Sequence, residues 1–247
     1  QFGDAVPIAA LLLRQGEETD DTALRIAAHS CHVGLNVHMG DFDTALEHRT
    51  RLDELLTPEL HEEVRRRFQP EPVIMSRAEQ LRALMLLGRT EEAKRVRDLA
   101  EAEARASGHP QDLAFVYHFI SEYELLLGDA DTGERFAREA VALCEEYGIA
   151  SERLWALVYL GAAQARLGRK EEGIALMRQM METLAQIGCS VNMPGFYLLR
   201  ADAELRNGDA AAAAATLRSG LEIGARTGEH AYDGELHRLL SLAEPAG

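Results

Sequence analysis

Basic charge is scarce in this sequence: 26 lysines and arginines stand against 41 aspartates and glutamates, a formal net charge of −15. Contact with nucleic acid or with an anionic membrane needs a cationic face, so neither is expected as a partner. Cysteine is scarce too. Cys31, Cys144 and Cys189 are odd in number and far apart, which excludes a disulfide framework and a paired-cysteine zinc site. Reduced thiols in a cytoplasmic protein are the simplest account. No run of about 18 apolar residues occurs, so no membrane-spanning helix is expected. Residues 1–13 lack the basic start of a secretory signal, and an opening on Gln1 in place of Met points to a fragment of a longer protein.

Sequence motifs of catalysis are missing as well. There is no Gly-x-x-x-x-Gly-Lys-Ser/Thr loop, no His-Glu-x-x-His, no Gly-x-Ser-x-Gly, and no Gly-x-Gly-x-x-Gly after a strand. The adjacent carboxylates Glu145-Glu146 and Glu171-Glu172 diverge on a helix, which is wrong for an acid–base pair. His29, Cys31, His32 and His38 form the one tempting ligand set. His29 and His32 share a helical face, but Cys31 points about 100° away from His32. A metal site needs convergent ligands, so histidines hydrogen-bonded between helices are preferred over zinc. No cofactor, no metal and no enzymatic activity are expected.

Glycine, by contrast, is ordered. Gly88, Gly128, Gly168 and Gly208 lie 40 residues apart, and Gly108, Gly148, Gly188 and Gly228 keep the same interval. The first series carries a phrase: Leu87-Gly88-Arg89-Thr90-Glu91-Glu92-Ala93 returns as Leu127-Gly128-Asp129 and Leu167-Gly168-Arg169, degenerates at Asn207-Gly208-Asp209, and appears early as Met39-Gly40-Asp41. Two interleaved series with one period mean a repeated helical pair closed by two turns. A 47% hydrophobic content in which alanine and leucine dominate, with few β-branched residues, favours helices around a continuous core.

First helices are expected at about 73–87, 111–127, 151–167 and 193–207, and second helices at about 90–106, 130–147, 170–187 and 210–227. Second-helix cores are read as Val96 and Leu99; Phe136, Ala140 and Leu143; Ile174, Met177 and Leu184; Leu217 and Leu221. Met177, Met180 and Met181 are read as core filling. Upstream, a short helix over 5–15 ends at Gly16, as the second half of a preceding repeat. Thr19, followed by Asp20 and Asp21, caps the next helix, and Asp41 caps its partner. Ser151 is expected as a further N-cap. Thr57-Pro58 starts an inserted helix over 59–68, ended by Pro70 and Pro72, which lengthens the first interval to 48. Its Arg65, Arg66 and Arg67 are read as a solvated face beside Glu62 and Glu63. A final helix over 229–243 caps the array, and residues 244–247 end it. The expectation is an all-α chain, 1–247, forming a single right-handed α-solenoid with repeats of about 40 residues and a C-terminal cap helix.

This turn grammar, clearest at Leu160-Gly161, Gly168 and Gly173, resembles the tetratricopeptide repeat (TPR), with 40 residues in place of the usual 34. Longer phrases resemble the TPR-like region of bacterial signal-transduction ATPases, adenylate-cyclase-linked regulators and maltose-activator-type transcription regulators. They are Gly40-Asp41-Phe42-Asp43-Thr44-Ala45-Leu46-Glu47-His48, Glu71-Pro72-Val73 with Leu84-Met85-Leu86-Leu87-Gly88, Gly108-His109-Pro110 with Leu113-Ala114-Phe115, and Thr227-Gly228-Glu229 with Glu235-Leu236-His237-Arg238. Glu71 stands where that pattern has Asp, and Met85 where it has Trp.

The resemblance implies that first helices line a concave face. Counting back from each turn glycine places Met75, Phe115 and Trp155 in one stripe, Ala78, His118, Val158 and Leu198 in a second, and Arg82, Glu122, Ala162 and Asp202 in a third. Phe115, His118, Glu122 and Trp155 would then meet in mid-groove, with Tyr159 and Tyr197 close by. Such an aromatic patch suits a peptide, a partner helix or a small ligand, and it is equally the pattern of ordinary interhelix core. The implied function is a non-catalytic regulatory module of a larger bacterial signalling or transcription protein, binding a protein or peptide, or its own neighbouring domains. The alternative is a small-molecule inducer sensor. Homo-oligomerisation is left open.

Overall fold

Helix ends in this protein follow from backbone chemistry that the glycines permit. In the computed structural model, which describes residues 2–244, Gly40 adopts φ +82° and donates its N–H to the carbonyls at the end of the preceding helix, while Asp41 N–H reaches back to Asn36 O. Only glycine enters that left-handed region without strain, so it closes the helix and satisfies orphan carbonyls together. The same conformation recurs at Gly88, Gly108, Gly128, Gly148, Gly168, Gly188, Gly208 and Gly228.

Between these turns lie α1 (Phe2–Glu18), α2 (Thr22–Met39), α3 (Phe42–Leu55), α4 (Pro58–Arg67), α5 (Pro72–Leu86), α6 (Thr90–Ser107), α7 (Pro110–Leu127), α8 (Ala130–Tyr147), α9 (Ala150–Arg166), α10 (Lys170–Gln186), α11 (Met193–Arg206), α12 (Ala210–Thr227) and α13 (Asp233–Ala243). Among the described residues there is no strand. The fold is the expected all-α repeat of helical hairpins. It divides into two compact units, one running up to Val116 and the other from Tyr117, with the division inside α7.

In the first unit, α2 packs on α1, α3, α4 and α5, and α6 packs on α5. One apolar cluster joins Ala23, Ile26, Leu52, Val64 and Val73; another joins Val33, Val37, Ala45 and Ala83. α5 is buried nearly all round and takes charged groups inside with it. Arg49 of α3, 0% exposed, donates to Val73 O (2.9 Å) and Ser76 Oγ (2.6 Å). Arg77 bridges Asp53 and Glu103 at 3.2 Å each. A buried guanidinium is tolerated because its donors are spent on partners.

In the second unit, α8 to α13 pack in consecutive pairs around one apolar cluster that includes Leu125, Ala137, Tyr159, Met177, Leu184, Phe196 and Leu199. The second helices bury a single stripe. α8 buries Ala130, Gly133, Phe136, Ala137, Ala140 and Cys144, the 3-and-4 spacing of an amphipathic helix. Met177, Met180 and Met181 fill the core, as expected. Close crossings need missing side chains: a Cβ on Gly173 of α10 would lie 2.3 Å from Gly161 O of α9.

Several local expectations are corrected. α1 runs through Gly16 to Glu18, because Gly16 is a close-packing glycine whose Cβ would meet Arg25 Cγ at 2.7 Å, and not a turn. Asp21 caps α2 through Leu24 N (2.9 Å), while Thr19 bonds back to Gln15 O. α9 begins one residue before Ser151, at Ala150, with no side-chain cap. Leu99 is 43% exposed; α6 buries Ala93, Ala100 and Ala104, a face about 100° from Leu99. α13 begins at Asp233, four residues late, since Glu229 is used by the core. Residues 245–247, expected to end the chain's last helix, lie outside the described residues.

Candidate functional site

α7, which enters the second unit at Tyr117, and α9 and α11 are first helices, and their apolar positions recur on more than one face, so they carry aromatic rings inward. His118 of α7 lies 5.3 Å from Trp155 and stacks at 12° on Tyr159, both on α9. Phe196 of α11 meets Trp155 and Tyr159 edge-on, at 5.5 and 5.6 Å. Perpendicular rings at this distance are favourable and hold one another in place. His118, Tyr159 and Phe196 are buried, whereas Trp155 is partly exposed. The wall is therefore a rigid layer with one indole at its margin.

A polar layer underlies the rings. Asn192, at φ +63°, donates from Nδ2 to Tyr159 Oη (2.9 Å), and its backbone N–H is held by the Glu229 carboxylate (2.9 and 3.1 Å). Tyr232 Oη donates to Glu122, a tie across 110 residues of sequence. Gly195 permits this packing, since a Cβ there would touch the Tyr232 ring at 2.8 Å. Asn192, Phe196 and Tyr232 carry no mark in the sequence, and Glu229 is marked only as part of the Thr227-Gly228-Glu229 phrase: Asn192, Glu229 and Tyr232 lie in or beside loops, where no helical period exists to single them out.

The expected groove residues thus fall as follows. In the second unit His118, Glu122, Val158, Tyr159 and Leu198 are buried, and Trp155 and Asp202 are partly exposed. Asp202 pairs with Arg166 (2.8 Å) and Arg206 (2.9 Å). In the first unit Phe115 and Arg82 are buried. Arg82 pairs with Glu79 (3.2 Å), which also meets His38 (3.4 Å), and Phe2 stacks on His38 at 4.8 Å. Burial disfavours the ionised form of Glu79, but the charges of Arg82 and His38 outweigh it and hold the carboxyl below its usual range.

The histidines of the first unit separate. His29 and His48 share a hydrogen bond between their Nδ1 atoms (2.9 Å), and His32 stacks on His48 at 4.3 Å. Burial first, then the neighbouring imidazoles, lowers the His29 pKa to about 4. His38 belongs to the Glu79 cluster instead, and Cys31 is exposed. Among the described residues no three His, Cys, Asp or Glu side chains converge as a metal set. Arg65 and Arg67 are paired, with Glu62 and Glu71 and with Asp21 and Glu63 respectively.

No protein-family model matches the chain, and no curated protein matches it. Solved structures do. A Rap protein complexed with competence and sporulation factor is similar at TM-score 0.67 and 14% identity, over 98% of this chain and 70% of that one. BtubC from P. vanneervenii is similar at TM-score 0.56 and 14% identity, over 92% and 91%. At this identity the likeness is one of fold: a tetratricopeptide-like helical repeat.

Proposed function

We propose that this chain is a non-catalytic, regulatory interaction module of a larger bacterial signalling or transcription regulator, which binds a protein or peptide. The observation that carries the reading is Trp155. A partly exposed indole is braced by the buried rings of His118, Tyr159 and Phe196, and this is the chemistry of an interface anchor: a large apolar surface that loses little freedom on binding. Asp202, on the same helix as Tyr197 and held by Arg166 of α9 and Arg206 of α11, offers polar recognition on the same set of first helices. The Rap protein, complexed with its factor, lends the fold a precedent as a binding platform.

Trp155 is the single tryptophan, so its emission reports on this surface alone. Peptides selected from a displayed random library on the immobilised chain are expected to shift that emission. Trp155→Ala is expected to weaken them at least tenfold, about 1.4 kcal/mol, with far-UV circular dichroism unchanged. Equal affinity in the variant overturns the assignment, and lost helicity assigns Trp155 to the core.

A further inference from the structure

Glycine inside a helix costs stability, and past the first two residues of a helix every glycine of the described residues but one has a visible reason. At Gly16, Gly133, Gly161, Gly173, Gly195 and Gly224 an added Cβ would lie within 2.9 Å of a neighbouring atom, and at Gly220 at 3.0 Å. Gly34, thirteen residues into α2, has no such reason: a Cβ there would meet only Glu79 Cγ, at 3.9 Å. What it faces is space. Gly34 lines a cavity of about 330 Å³ in the first unit, between α1, α2 and the start of α5. Leu12, Leu24, Phe68, Pro70 and Met75 supply its apolar walls.

The polar atoms of the walls are already spent. The Ser30 and Ser76 hydroxyls both donate to Pro72 O, at 2.7 and 2.9 Å. One Glu79 carboxylate oxygen meets His38 and the other meets Arg82. No charge is left to pair with an ionic ligand, and an anion would also meet the Glu79 carboxylate. Cys31, exposed where the cavity reaches the surface, sits among groups apolar enough to push its thiol pKa up.

We propose that this cavity is a binding site for a small, uncharged, apolar molecule, with the room that Gly34 leaves in α2 as its floor. The volume falls at the lower end of the range of small-ligand pockets, about 300–1,000 Å³. The site does not depend on the aromatic wall of the second unit, so the two assignments stand or fall separately.

The test uses the 247-residue chain and the neutral fluorophore N-phenyl-1-naphthylamine. The wild type is expected to give saturable, one-to-one enhancement, while Gly34→Leu weakens it at least tenfold with thermal stability equal or higher. Bound probe is expected to slow alkylation of Cys31 by N-ethylmaleimide several-fold, as read by peptide mass spectrometry, and to leave Cys189 unaffected. That measurement needs no variant, so it decides the matter even if Gly34→Leu fails to fold. Absence of saturable binding, undiminished binding in a folded Gly34→Leu, or unprotected Cys31 each overturns the site.

Discussion

Three single residues in this protein hold titratable or polar groups where water is scarce, and each makes a measurable commitment. Asp112 is 1% exposed; Oδ1 accepts from Glu71 N–H at 3.3 Å, while Oδ2 has no hydrogen-bond partner. Burial, and then the Glu71 charge, raise its pKa above the usual carboxylate value. Its folded pKa exceeds the unfolded one, so ionising it costs stability as pH rises. Asp112→Asn keeps an acceptor for Glu71 and removes the charge; it is expected to stabilise by about 1 kcal/mol at pH 7, and by less near pH 3.5, in urea titrations. Tyr232→Phe leaves the buried Glu122 without its hydroxyl donor and is expected to cost about 1.5–3 kcal/mol. His29 has the opposite sign to Asp112. Its folded pKa of about 4 lies below the ordinary 6.5, so the unfolded chain takes up the proton first. Stability is expected to fall as pH drops from 6.5 towards 4, and His29→Asn to flatten that fall in urea midpoints at pH 7 and 5.

At the scale of helices, the sequence marks turns better than it marks faces. The glycine intervals place helix ends to within a residue or two, because a left-handed turn is a local demand on one residue. Gly16 misleads for the same reason: a close-packing glycine and a turn glycine read alike until the neighbour is seen. Leu99 misleads because a helix core built from alanines hides its phase, and the largest apolar residue is then mistaken for the buried one. Close-packing glycines also differ in energy from helical glycines that have room around them. Gly173→Ala, which would press a Cβ into the α9 backbone, is expected to cost about 2–3 kcal/mol. Gly234→Ala, with nothing within 4 Å, is expected to be near neutral. Equilibrium urea unfolding of both variants separates the classes.

Over the whole molecule the dominant feature is an excess of negative charge, −15. Self-repulsion between exposed carboxylates is screened within about 10 Å at 0.1 M salt, so thermal stability is expected to rise between 10 and 300 mM sodium chloride. If peptide ligands of this chain are cationic, their affinity should fall over the same range, opposite to the trend in stability. Calorimetry and titration in the same buffers distinguish the two.

The sequence alone determined that this chain is helical, that it repeats every 40 residues, and where its turns lie, because propensity, periodicity and glycine conformation act over a few residues. It also grouped His118 and Trp155 in one expected patch, with Tyr159 close by. Only tertiary structure decided which of those rings are covered, that Tyr232 ties Glu122 from 110 residues away, and that Gly34 opens onto a cavity. Burial and enclosure are properties of groups brought together from distant parts of the chain, and no local pattern of residues contains them.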